Sequence, residues 1–208
     1  MDAERINAAA LLLARGAPQR PALVCGRRSI SYAELRRSVA CAAGGWRQRG
    51  LARGELVMLR GDRGLDHVVA FLGAVWAGAI PVPLRRSLPR DDGAPPAAVQ
   101  YALDTSRAHA GHADGQGAVR WIHWQPPVAD LAPLPETPCE PWAPACWTDP
   151  GTWHEGKALV LPHRFALALS AQAGQLALAD THTMLGTLRA LRRGSTVVLH
   201  AEPPRVAA

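Results

Sequence analysis

Three side chains stand at a spacing that can hold a metal ion. They are His109, His112 and Asp114, in the pattern His-x-x-His-x-Asp. The stretch around them is rich in glycine and alanine and offers no fourth ligand, so it reads as a solvated loop. His123 lies between Trp121 and Trp124 in the alternation of a strand, not in a site. The four cysteines, at 25, 41, 139 and 146, include no closely spaced pair of the zinc-binding kind. With no sign of export, they read as free, partly buried thiols. The chain has no Gly-x-Ser-x-Gly elbow for a nucleophilic serine and no Gly-x-Gly-x-x-Gly loop for a dinucleotide.

The basic residues are almost all arginine. Of 23 Lys and Arg, only Lys157 is a lysine. The net charge is +6 and the pI about 9.9. The arginines are spread through every segment in short pairs such as Arg27-Arg28 and Arg85-Arg86, with no aromatic stacking platform among them. They read as a solvated surface, and no nucleic-acid partner is expected. Apolar residues make up 48% of the chain, enough for a real core and against global disorder. No apolar run approaches the roughly 20 residues that span a bilayer, so no membrane partner is expected. The start, Met1-Asp2-Ala3-Glu4-Arg5, makes a poor secretory signal, and a cytoplasmic location is the expectation.

The elements that must position these side chains follow from periodicity. Residues 4–15 predict a short helix with Ile6, Leu11, Leu12 and Leu13 on its apolar face. Two short strands around Gly26 predict a hairpin. Ser31 and Glu34 fit a capping box for a helix over 32–48, closed by Gly50. A strand at 55–59, a helix over 65–76 and an extended segment at 80–84 make successive strand–helix–strand steps, which favour parallel pairing. A helix is predicted over 95–108 and a strand over 118–124. Residues 126–144 hold seven prolines, too many for a helix or a central strand, and predict an exposed, extended connector. Beyond it come strands at 145–148 and 157–161 around a polar loop, helices over 164–179 and 184–193, and a last strand at 195–200.

Three stretches resemble the adenylate-forming superfamily of acyl-CoA synthetases, aryl-CoA ligases and peptide-synthetase adenylation domains, benzoate-type CoA ligases in particular. They are Ser29–Leu35, Phe71–Leu84 and Tyr101–Arg107, the last resembling a helix of that family. The middle stretch is the most specific, because Gly73 and Gly78 allow close backbone approach while Ile80, Val82 and Leu84 alternate as in a buried strand. The resemblance implies an α/β fold: a partial adenylate-forming large domain, its mixed and mostly parallel sheet flanked by helices. It divides the chain into an N-terminal α/β part at 1–125, the proline-rich connector at 126–144, and a phosphate-loop hairpin with a helix–strand segment at 145–208.

In that family ATP phosphates are held by a Ser/Thr/Gly-rich loop between two strands, where small residues expose backbone amides and a lysine adds a point charge. The matching segment here is 149–158. Gly151, Thr152 and Lys157 keep the family's residue types and are the candidate nucleotide-binding residues. Their neighbours depart from the pattern. Pro150 lacks an amide donor, Trp153 and His154 add bulk, and Asp149 and Glu155 set negative charge where phosphates belong. His163, at the start of the following helix, matches a histidine of the family and reads as a plain helix residue. The resemblance implies ATP with Mg as cofactors, carboxylate attack on the α-phosphate to give acyl-AMP, and then thioester formation. The family's adenine, ribose and catalytic-lysine motifs have no counterpart in these 208 residues, so no catalytic residue is assigned. The expectation is a truncated ligase-like protein, acting as a pseudoenzyme or interaction subunit. Its partner would be the remainder of a ligase, a full-length ligase, an acyl-carrier system or a second copy of itself. The alternative is one half of a split ATP-dependent carboxylic acid ligase.

Overall fold

The computed structural model describes residues 4–60, 64–84, 99–104, 120–123, 131–147, 160–171 and 184–199. Helix α1 (Ala8–Leu13) begins where Asn7 caps it, with Oδ1 accepting from the amides of Ala9 and Ala10. The helix predicted over 4–15 is therefore shorter. Ile6 lies outside it, paired with Cys139 in an antiparallel bridge, and Leu11 faces outward. The buried face is Ala8, Ala9, Leu12 and Leu13, a stripe along one side of the helix.

Strands β1 (Pro21–Cys25) and β2 (Arg28–Ser31) form the predicted antiparallel hairpin, turning through Gly26 at φ +57°. Helix α2 (Tyr32–Gln48) follows with the predicted capping box, Ser31 Oγ accepting from the Glu34 amide and Glu34 accepting from the Ser31 amide. Strand β3 (Leu56–Arg60), helix α3 (Leu65–Trp76) and strand β4 (Ile80–Leu84) complete a parallel crossover.

Residues 99–104 are a strand, β5 (Val99–Asp104), not the helix predicted over 95–108. Strand β6 (Arg120–His123) pairs beside it, and the four-stranded sheet runs β4-β3-β5-β6 with every pairing parallel. The spacing of Val99, Tyr101 and Leu103 has period two, and the free edge of β3 takes up that extended chain. The residues of the third family-like stretch thus lie on a central strand as far as Asp104.

Strands β7 (Pro144–Trp147) and β8 (Val160–Pro162) form a separate antiparallel hairpin next to β4. Helices α4 (His163–Ala171) and α5 (Met184–Arg192) follow, and β9 (Val197–Leu199) returns to pair in parallel with β1. The α/β class holds, but the described strands divide among three sheets: β2-β1-β9, β4-β3-β5-β6 and β7-β8.

Most of the buried side chains form one cluster. Helix α1 touches each of the other four helices. Trp46 on α2 and Phe71 and Leu72 on α3 are fully buried in this cluster, each contributing roughly 1.5–3 kcal/mol or more of apolar transfer. A Cβ on Gly73 would lie 2.6 Å from the Ala42 Cβ. The close approach this glycine permits is therefore between the two helices, rather than between a helix and a strand. On β3, Val57 and Leu59 face this core, while Met58 meets Val82 and Trp147 on the other side of the sheet.

Candidate functional site

The candidate nucleotide-binding residues Gly151, Thr152 and Lys157 lie in the segment that joins β7 to β8, outside the described residues. His109, His112 and Asp114 also lie outside them. The structure describes the stem that carries the first segment. Trp147 pairs with Val160, Cys146 with Leu161 and Pro144 with Pro162. Cys146 and Leu161 are buried in the main core, while Trp147 packs with Met58 and Val82. The stem is thus wedged at the sheet margin by apolar contacts on both sides.

Below the stem, four pieces of chain converge. The described part of the proline-rich segment, from residue 131, is mostly exposed as expected, and it is also docked. Its exposed prolines face solvent, but its backbone is laced to the helices. The Leu134 amide donates to the Ala40 carbonyl and the Thr137 amide to the Trp76 carbonyl, while Trp76 Nε1 donates to the Leu134 carbonyl at 2.8 Å. Asn7 Nδ2 lies 3.1 Å from the carbonyls of Val75 and Trp76 and 2.9 Å from that of Thr137. Proline removes amide donors but leaves the remaining amides free to dock, which is why a proline-dense strap can still be ordered.

His163 completes this node. Its side chain is fully buried, and Nδ1 accepts from the Ala8 amide at 3.1 Å. Its own amide donates to the Ala143 carbonyl, and the Arg164 amide to that of Pro141. An accepting Nδ1 places the proton on Nε2, which meets no acceptor among the described residues. Burial, and next the charge of Arg53, push the imidazole pKa down to about 4, so it is neutral in the fold. The reading of His163 as a plain helix residue misses this tertiary bond, which joins positions 155 apart in the chain. The helix predicted over 4–15 runs through Asn7 and so misses its cap, although an Asn before an apolar run signals one; its three carbonyl partners leave no local signal.

The Cys139 thiol is buried, 3.3 Å from the Thr137 carbonyl, and burial pushes its pKa up. All four cysteines are free, as expected. Outside the node, Trp142 is 65% exposed with the Arg164 guanidinium 5.5 Å from its ring centre. Among the described residues no three His, Cys, Asp or Glu side chains converge as metal ligands, and no helix is long and apolar enough to cross a membrane.

The family model described as AMP-binding enzyme matches residues 13–122, a little over half of the chain. The chain is 36% identical over 95 residues to a 3-hydroxybenzoate–CoA ligase of Aromatoleum sp. (strain CIB), covering 45% of this chain and 17% of that protein. It is 31% identical over 90 residues to tyrocidine synthase 3 of Brevibacillus parabrevis, covering 43% of this chain and 1% of that one. Its fold is similar to that of the AMPPNP-bound nonribosomal peptide synthetase FmoA3, with a TM-score of 0.74 at 21% identity, over 100% of this chain and 24% of that one. It is also similar to a benzoate CoA ligase from Burkholderia xenovorans, with a TM-score of 0.69 at 20% identity, over 96% of this chain and 46% of that one. The chain therefore spans less than half the length of these relatives.

Proposed function

Because this chain belongs to the AMP-binding enzyme family, we propose that it is a ligase-like pseudoenzyme, keeping the family scaffold without a working phosphate loop. The observation that carries this reading is the composition of residues 149–158, placed between the paired strands of a well-anchored stem. Gly151, Thr152 and Lys157 fit a phosphate site. Asp149 and Glu155 oppose it by charge, Pro150 by a missing donor, and Trp153 and His154 by bulk. The donor set does not fit the terminal phosphates of Mg-ATP, and no chemical step is derived through that nucleotide. On this reading the chain acts as an interaction subunit. Its partner is the remainder of a ligase, a full-length ligase, an acyl-carrier system or a second copy.

A second reading is favoured by the position of Lys157. The chain's sole lysine falls where the family places its phosphate-contacting lysine, which suits one half of a split ATP-dependent carboxylic acid ligase. Calorimetric titration with Mg-ATP, alongside a Lys157→Ala chain, separates the two. The pseudoenzyme reading expects no binding in either protein. Micromolar binding that vanishes in Lys157→Ala overturns it and puts the split ligase first.

A further inference from the structure

Arginine runs through the whole chain, but the acids that offset it do not. Residues 8–53 hold nine arginines and a single acid, Glu34. Residues 54–208 hold 13 basic and 14 acidic residues, close to balance. The net charge of +6 therefore comes from the segment that builds α1, the hairpin β1–β2 and α2. Glu34 is itself engaged, accepting from the amide and the hydroxyl of Ser31 in the capping box.

The fold gathers four of these arginines around the loop 14–20. Arg36 donates to the carbonyls of Leu13 and Gly16, closing the C-terminal end of α1. The loop is fixed to the start of α2, with the Tyr32 amide donating to the Arg20 carbonyl and the Ala33 amide to that of Pro18. Arg37 stands one turn on from Ala33, on the same side of the helix. Arg15 lies beside Gly194, where a Cβ would meet the Arg15 carbonyl at 3.1 Å. Tyr32 is fully buried beneath, its hydroxyl donating to the Ser195 carbonyl at 2.8 Å. Burial raises the pKa of this phenol, and the charges of Arg20 and Arg36 oppose the rise. Arg15, Arg20 and Arg37 are exposed and Arg36 is half-buried.

We propose that this face, built from Arg15, Arg20, Arg36 and Arg37, docks an acidic protein surface. The proposal rests on the reading of the chain as an interaction subunit and names the chemistry of its partner. Each guanidinium can take a carboxylate through two parallel hydrogen bonds. Like charges gathered on one face repel, and a counter-charged surface relieves that repulsion. The backbone under them is already fixed by hydrogen bonds, so docking costs little ordering of the main chain. The aromatic ring beneath them is buried and cannot stack on a base, which favours carboxylates over nucleic acid.

Fluorescence anisotropy of a labelled oligoglutamate peptide at low salt, without nucleotide, tests this. The unaltered chain should bind. We expect Arg20→Glu/Arg37→Glu to weaken binding roughly tenfold or more and to flatten its salt dependence. Arg36 stays in place because it holds the end of α1. Arg5 and Arg164 lie at the opposite, N-terminal end of α1, beside Glu140 and Pro141. Arg5→Glu/Arg164→Glu makes the same change in net charge there and should stay within about twofold. Arg20→Gln/Arg37→Gln removes charge without adding acid and should weaken binding roughly fivefold. It carries the test if the glutamate chain does not fold. No binding by the unaltered chain overturns the proposal. So does equal weakening by the pair at Arg5 and Arg164, which leaves net charge as the whole cause. A single-stranded oligonucleotide of matched charge that binds more tightly through the same arginines also overturns it, in favour of nucleic acid. The Mg-ATP titration decides the pseudoenzyme reading separately, since it compares Lys157→Ala and no arginine of this face.

Discussion

Helices α2 and α3 and the hairpin β7–β8 are held by different means. The helices approach across Gly73 and carry Trp46, Phe71 and Leu72 into the common core, so they are held by packed volume. The hairpin buries Cys146 and Leu161 but leaves Val160 44% exposed, and its base depends on a few hydrogen bonds around His163. The helical pair also lies within the family match, whereas residues 149–158 carry the departures from the family pattern. Close-packed interiors tolerate little change, while a segment between two strands can change its chemistry without unfolding what holds it. On the proposed pseudoenzyme reading, the family scaffold outlasts its phosphate loop.

The largest effect should come from Trp46→Ala. It empties a buried ring site and removes the Nε1 bond to the Ala70 carbonyl, costing about 4 kcal/mol by denaturant unfolding. A loss below about 1 kcal/mol would erase the contrast between the two regions. Next is acidification, which acts on the hairpin side. His163 is neutral in the fold with its pKa near 4, against 6.5 when unfolded. The unfolded chain takes up that proton first, so stability is intact above pH 6.5 and falls as pH drops from 6.5 to 4, by on the order of 3 kcal/mol. His163→Asn should flatten that stretch of the curve, and an equally steep curve in the variant would assign the loss to other groups. Gly73→Ala should cost about 2 kcal/mol, because the new Cβ meets Ala42 and the helices must part. A neutral result would show that the helices can shift. Trp142→Ala is the smallest, within about 0.5 kcal/mol, since the ring is mostly exposed and lies beneath the Arg164 guanidinium. A large loss there would mean the hairpin base is held by its surface.

Much of the scaffold was legible in the chain itself. The capping box at Ser31 and Glu34, helix α2 over 32–48 and helix α3 over 65–76 follow from local signals, because caps and apolar periodicity act within a few residues. Strand β5 was not legible as such. An apolar stretch of that length suits either element, and the decision came from the open edge of β3. The strap after residue 131 is the exposed, irregular chain expected, but its docking onto α2 and α3 was not legible. Proline density reports the absence of a helix or central strand, not the absence of partners for the remaining amides. At the candidate site, the family residue types at Gly151, Thr152 and Lys157 were readable one position at a time, while the node beneath them was not.

The sequence by itself determined the helices that cap and pattern themselves, the family, and the departures from the family pattern in residues 149–158. Those properties reside in neighbouring residues and their side-chain chemistry. Only the tertiary structure decided that β9 returns to β1, that β5 enters the sheet, and that His163 caps a helix whose first amide lies 155 positions away. Such pairings satisfy backbone groups across the whole chain. No local pattern specifies which distant acceptor will be nearest once the core has closed.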